Sequence, residues 1–230
     1  MYIDAHAHLE DSGIPKDFIV VNNGLNLETN KKVLSISNEN KNIKAALGLY
    51  PLEGINLNDK QVDEIISFIT ENKKNVIAVG EIGLDFKNGK DKKQIKIFER
   101  LLNVAKSINK PVIVHSRGAE NEVLEILEGF KLKNVVMHHF SGGLSLINTG
   151  YYYTVNVLVT ERKKIQELAK ALDVDKILTE SDSPFVIIKG RKSSPEDVRV
   201  ALEAISEIKE LPPNKIKNIV FGNYQKCFHV

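Results

Sequence analysis

Tyr2-Ile-Asp-Ala-His-Ala-His-Leu9 opens the chain with a β-type run that carries His6 and His8 two residues apart. On a strand, alternate side chains share a face, so this spacing sends both imidazoles out of the same side. Two imidazoles on one face can meet a single metal ion if later segments deliver further ligands to the same point. Alone, the pair says little, because His-x-His also arises by chance or is satisfied by backbone carbonyls. Its weight comes from ligand-type residues that recur at the ends of four later apolar runs.

Outward from this stretch, short apolar runs alternate with amphipathic segments to the end of the chain. Strands are expected near Tyr2–His8, Phe18–Val21, Ile43–Leu49, Val76–Glu81, Val112–His115, Val135–His139, Tyr151–Val155 and Lys176–Glu180. Helices are expected over Asp59–Asn72, Lys92–Ile108, Glu120–Glu128 and Glu161–Leu172, with Pro195–Glu210 and Pro213–Phe221 closing an outer ring. The link from Phe18 through Asn38 is short for a full β/α unit, so its helix is expected to be stunted or irregular. Eight strands interleaved with helices are the arithmetic of an α/β fold, the (β/α)8 TIM barrel, whose active site lies at the C-terminal ends of its strands. An open doubly wound sheet competes, but no Gly-x-Gly-x-x-Gly turn follows the first strand to support a dinucleotide site. No repeat, low-complexity tract or linker divides the chain, so residues 1–230 are expected to form a single barrel domain.

The totals narrow the function classes. A chain of 230 residues, 42% hydrophobic and 27% charged, can bury a substantial core. No apolar run approaches the roughly 18 to 20 residues of a membrane span, and no basic and apolar leader precedes the first strand, so a cytoplasmic protein with no membrane contact is expected. Cys227 is the only cysteine and reads as a buried or idle thiol. A net charge of +2 from 32 basic and 30 acidic side chains gives no broad positive field, so any polyanionic substrate must be held locally. Nothing in the sequence points to a protein partner.

The strand ends carry the chemistry. After His6 and His8 come Val-Gly-Glu81-Ile-Gly-Leu-Asp85, then Val-His115-Ser-Arg117, then His138-His139-Phe-Ser-Gly142, then Thr-Glu180-Ser-Asp182-Ser-Pro184. Mixed imidazole and carboxylate donors suit zinc, manganese or magnesium, with magnesium least expected from the number of histidines. A cation also offsets the cost of gathering charged groups in a poorly solvated barrel.

Asp-Ala-His-Ala-His-Leu, Gly-Glu-Ile-Gly-Leu-Asp, Val-His-Ser-Arg, His-His-Phe-Ser-Gly and Glu-Ser-Asp-Ser-Pro, in this order, resemble the signatures of the TatD family of metal-dependent hydrolases, with a family-like Phe-Gly-Asn-Tyr tail at Phe221 to Tyr224. The family belongs to the amidohydrolase superfamily of (β/α)8 barrels and includes metal-dependent DNases. The resemblance implies two divalent metal ions, one among His6, His8, Glu81 and Asp182 and the other among Glu81, His115 and His138, with Glu81 bridging. It implies DNA as substrate. Two cations about 3.5–4 Å apart can activate a water and stabilise the attacking and leaving oxygens of a phosphodiester. Asp182 could take the proton from that water as general base; its structural alternative is a helix N-cap. An amide or ester hydrolase using the same metal centre is the alternative enzyme, and a metal-holding binding protein without turnover is a third reading.

The family commonly has Gly-x-His-Pro at the third strand end, where this chain has Gly48-Leu-Tyr50-Pro51. Tyr50 can donate a hydrogen bond to a phosphate but cannot replace imidazole as a proton carrier near pH 7, and it reads equally as a rim-closing structural residue. Arg117 suits a phosphate oxygen, or else pairs with Glu180 or Glu120. Glu180 is expected to orient a His or Arg, and Asp85 to shape its loop. His139 is expected to face away from His138, behind the site. Lys189, Arg191 and Lys192 follow the last strand and would attract DNA phosphate if they line the mouth, or else are solvated surface.

Overall fold

Val76, Ile77, Ala78 and Val79 form an unbroken apolar run, and all four are buried. A strand covered on both faces reads this way, and parallel sheets wrapped by helices are covered on both. In a computed structural model that describes residues 1–11 and 13–230, this run opens β4 of an eight-stranded parallel sheet. Its members are β1 (Tyr2–Ala7), β2 (Phe18–Asn23), β3 (Ile43–Leu47), β4 (Val76–Asp85), β5 (Val112–Arg117), β6 (Val135–Met137), β7 (Tyr152–Val155) and β8 (Ile177–Thr179). They pair strictly in sequence order, with Ile3 beside Ile19, Leu47 beside Val79 and Val114 beside Met137. The sheet curls into a nearly closed TIM barrel with helices between the strands.

The seam between β8 and β1 is closed differently. It carries no strand ladder among the described residues. Instead, Asp182 N–H donates to His6 O at 3.0 Å and His8 N–H donates to Ser183 O at 2.7 Å. Deeper in, the Thr179 hydroxyl donates to Ile3 O, and the buried Asp4 carboxylate accepts from Ser181 N–H at 2.9 Å and from the Ser181 hydroxyl at 2.6 Å. Two backbone bonds and a set of polar side chains thus take the place of the missing ladder and satisfy the backbone there.

The outer ring is α1 (Leu27–Glu39), a single turn α2 (Pro51–Gly54), α3 (Asp59–Glu71), α4 (Lys92–Ser107), α5 (Glu120–Phe130), α6 (Lys163–Ala171), α7 (Asp197–Ile208) and α8 (Pro213–Phe228). A two-stranded hairpin, β9 (Ile187–Ile188) and β10 (Arg191–Lys192), stands after β8. Contrary to the stunted element expected, α1 is a complete helix of 13 residues. Asn26 and Thr29 start it with a reciprocal capping box, each side chain accepting the other's backbone N–H at 3.0 Å. One of its inward positions is the polar Asn30, which exchanges hydrogen bonds with the Gly48 backbone at 2.8 and 3.1 Å. A buried polar residue in the apolar stripe hides the helical period.

Other boundaries moved as well, among them the end of β4, which runs on to Asp85. The sixth strand ends at Met137, not at His139, whose φ of +44° turns the chain out of the sheet. The last helix runs to Phe228, through Gly222, instead of stopping near Phe221. Tyr151, Tyr152, Tyr153 and Cys227 are all buried in the core, and burial raises the pKa of the Cys227 thiol. Among the described residues, no helix is long and apolar enough to cross a membrane.

Candidate active site

Parallel pairing in strict order brings the C-terminal ends of all eight strands to one rim, so ligands far apart in sequence meet there. His6 leaves β1 and His8 follows it; Glu81 sits within β4, His115 in β5, His138 just past β6 and Asp182 past β8. Gly83, two residues beyond Glu81, makes the approach of β4 to β5 possible. Its φ is +143°, and a Cβ there would lie 2.0 Å from His115 O.

Glu81 is 3% exposed and divides its two oxygens. Oε2 faces His6 Nε2 at 3.5 Å and His8 Nε2 at 3.4 Å. Oε1 faces His115 Nδ1 at 2.9 Å and His138 Nε2 at 3.3 Å. Asp182 Oδ1 closes the first group, 3.7 Å from His6 Nε2 and 3.8 Å from His8 Nε2. His6, His8 and Glu81 offer donor atoms within 4.8 Å of one another, as do Glu81, His115 and His138, and His6, His138 and Asp182.

The far nitrogens show how these rings are held. His8 Nδ1 meets Asn23 O at 2.9 Å, His138 Nδ1 meets Glu180 Oε2 at 2.9 Å, and His115 Nε2 meets Asp85 Oδ2 at 3.2 Å. A carbonyl or carboxylate on the distal nitrogen is the usual support of a metal-binding imidazole. Glu180 therefore orients His138, while accepting from Asn156 Nδ2 at 3.1 Å. Asp85 serves twice: Oδ1 accepts from Lys87 N–H at 3.0 Å and shapes the loop, and Oδ2 supports His115.

The electrostatics agree with a cation site. Burial would raise the Glu81 carboxyl, but His138, His115 and His6 hold it well below the ordinary carboxylate range. Burial works against a charged Glu180 too, yet His138 brings it down to about 2. Burial would lower His138, but Glu180 and Glu81 hold it well above the ordinary histidine value. His6 goes the other way: burial, reinforced by His138, lowers it to about 4 and leaves it neutral. Its Nδ1 is buried and has no hydrogen-bond partner. His6 Nε2 and His8 Nε2 point at each other from 3.0 Å, so both can turn a donor atom to one metal ion. The donor set fits divalent cations.

The cluster floors a cleft of about 640 Å³. Tyr50 and Arg117, both expected near substrate, line it. Tyr50 is half-buried and its hydroxyl donates to Asp85 Oδ2 at 3.0 Å, which ties it to the support of His115. Among the described residues Arg117 forms no salt bridge; Glu180 is taken by His138 and Asn156, and Glu120 accepts from the Ser141 hydroxyl at 2.6 Å. Asp182 is not a helix N-cap: it lies in a tight turn with φ +48°, and its side chain faces the histidines.

Several expectations need correction. Lys189, Arg191 and Lys192 stand on the β9–β10 hairpin, outside the residues that line the cleft. The hairpin turn runs through Lys189 and Gly190, both at positive φ, and Arg191 is engaged by Asp197 with a bidentate pair at 2.5 and 2.9 Å. His139, placed behind the site by strand parity, instead lines the cleft with Nδ1 3.4 Å from Asp182 Oδ2. Parity failed because the strand had already ended. Arg162, Phe185 and Ile187 also line the cleft. Only the unbroken apolar run Phe185-Val-Ile-Ile188 after the Asp-Ser-Pro turn could have drawn attention to the last two.

Residues 3–229 match the family described as TatD related DNase. The uncharacterized metal-dependent hydrolase MJ1582 of Methanocaldococcus jannaschii is 31% identical over 244 residues, covering 99% of this chain and 96% of its own. The human deoxyribonuclease TATDN3 is 27% identical over 216 residues, 86% of this chain and 79% of its own. Among solved structures, the TatD homologue YjjV of Escherichia coli superposes with a TM-score of 0.88 at 24% identity, over 100% of this chain and 98% of its own, a likeness of fold.

Proposed function

Because the chain belongs to the TatD related DNase family of metal-dependent hydrolases, we propose that it is a deoxyribonuclease that hydrolyses phosphodiester bonds within one barrel domain. The observation that carries this reading is the division of Glu81, one oxygen toward His6 and His8 and the other toward His115 and His138. A carboxylate shared in this way is suited to two neighbouring cations, and the name of the human relative supplies the substrate class.

His6, His8, Glu81 and Asp182 would hold one ion, and Glu81, His115 and His138 the other. Two divalent ions, zinc, manganese or magnesium, supply when bound an activated water and charge stabilisation for the attacking and leaving oxygens. The protein's own groups do the rest. Asp182 turns Oδ1 toward His6 and His8 and Oδ2 toward His139, so Oδ2 accepts the proton of the attacking water and His139 is placed to relay it outward. Arg117, exposed and without a salt bridge among the described residues, holds a phosphate oxygen with its planar fork. Glu180 and Asp85 fix His138 and His115 in their rotamers. Tyr50, through Asp85, positions His115 instead of carrying a proton itself.

Barrel and cations alone do not choose phosphorus over carbon. The test is to supply purified protein with manganese, magnesium or zinc and to offer single-stranded DNA, a simple phosphodiester and acyl esters in separate assays. Metal-dependent release of nucleotides is expected. Acyl ester cleavage without phosphodiester cleavage would overturn the proposal.

A further inference from the structure

After the Ser183-Pro184 turn, burial alternates along the chain. Phe185 and Ile187 are 59% and 56% exposed, whereas Val186 and Ile188 are buried. Phe185 stands on the turn that follows Pro184 and Ile187 opens β9, and both face outward while Val186 and Ile188 face in. The hidden pair is anchored: Val186 and Ile188 pack with Val157 and Leu158 in a small apolar cluster, and Val186 O accepts from Ser193 N–H at 2.8 Å. The turn itself is pinned by Phe185 N–H donating to Asp182 O at 2.8 Å and by the Ser183 hydroxyl donating to Ser193 O at 3.0 Å. The exposed pair therefore stands on a fixed support that is continuous with the Asp182 backbone.

Phe185 and Ile187 both line the cleft. The Phe185 ring lies 5.0 Å from that of His8 at an interplanar angle of 61°, one side chain away from the ligand cluster. No other large apolar side chain that is exposed among the described residues lines this cleft. Arg117 and Arg162 line it too, and neither forms a salt bridge among the described residues. One cavity thus combines a flat apolar surface, two available guanidinium groups and the cluster of imidazoles and carboxylates. A nucleotide has the matching parts: an anionic phosphodiester and a flat base whose π-face stacks on aromatic side chains.

We propose that Phe185, backed by Ile187, is the stacking platform for the nucleobase next to the phosphodiester that lies at the ligand cluster. The proposal rests on the nuclease reading. It assigns Phe185 to substrate binding and leaves bond cleavage to the cluster. Base stacking accepts any base, so the platform confers affinity for nucleotides with little sequence preference.

The test uses equilibrium binding, so that it does not depend on turnover. Fluorescein-labelled oligothymidylate and an oligomer of the same length with abasic sugars are titrated against metal-free wild-type protein, Phe185→Ala and Phe185→Trp. Wild type is expected to prefer the oligomer with bases. Phe185→Ala should weaken binding of that oligomer by about 5- to 150-fold, the range found for loss of one stacked base, and leave the abasic one unchanged. Phe185→Trp should restore the preference. Equal binding of both oligomers by wild type, or an equal loss on both in Phe185→Ala, would overturn the platform. Base-dependent binding by a protein that cleaves no DNA with any metal would leave the platform standing and remove the nuclease reading instead.

Discussion

Glu81 is the residue through which both halves of the cluster are joined, because each of its oxygens faces a different pair of histidines. Glu81→Ala should therefore strip ligands from two ions at once, whereas His115→Ala should weaken one. Elemental analysis after identical dialysis checks this: Glu81→Ala is expected to retain less metal than His115→Ala, and equal retention would remove the bridge. Asp182→Asn keeps a coordinating oxygen but loses the proton acceptor. It should fold, keep most of its metal and lose about 10²- to 10⁴-fold in rate; single-turnover cleavage beside metal content separates these effects. The six residues expected as ligands were reached through ordered motifs that resemble the family's signatures, and the fold brings their donor atoms together at one rim. The place of His139 in the cleft was not legible, since its direction depends on a backbone turn at φ +44° that follows from where β6 loses its partner. Arg162 was not either, because it stands just before α6 beside Glu161 and Lys163, where a charged run reads as solvated surface.

Among the elements, α1 shows where pattern reading fails. Its start is written in a capping box, but its buried face includes Asn30, whose amide is matched to the Gly48 backbone only once the third strand is in place. Hydrophobic periodicity cannot register such a residue. Asn26→Ala should cost about 0.5–2 kcal/mol of stability, as loss of an N-cap usually does, without altering metal content. Urea denaturation of the variant measures it, and an unchanged midpoint would show that packing alone sets the start of α1. The opposite case is β4, whose unbroken apolar run announced a buried parallel strand. What the run could not announce is that the strand continues past Glu81 to Asp85, because continuation there depends on Gly83 admitting the β5 backbone.

For the molecule as a whole, strict strand order made the barrel readable from alternation, and the site followed from the rim that such a barrel creates. Its proton balance gives a further test. In the metal-free protein the folded-state pKa of His138 is raised well above 6.5 by Glu180 and Glu81, against the pull of burial. That pairing contributes stability that is fully present below 6.5 and is lost as pH rises through the raised value. A cation needs the neutral imidazole, so it must displace this proton. The gain in Tm on adding manganese should therefore be larger near pH 8 than near pH 6. Thermal melts with and without manganese at both values check the sign, and a larger gain near pH 6 would place the cation away from His138.

The seam between β8 and β1 has one more consequence. Asp4 and Ser181, which meet across it, are 177 residues apart in the chain, with His6 and His8 on one edge and Asp182 on the other. A cation gripped by all three would tie the beginning of the chain to the end of its last barrel strand, a reversible cross-link that closes the whole run of barrel strands into a ring. Closing so long a loop removes more freedom from the unfolded chain than closing a short one. The groups assigned to catalysis would then also serve as the clasp of the barrel.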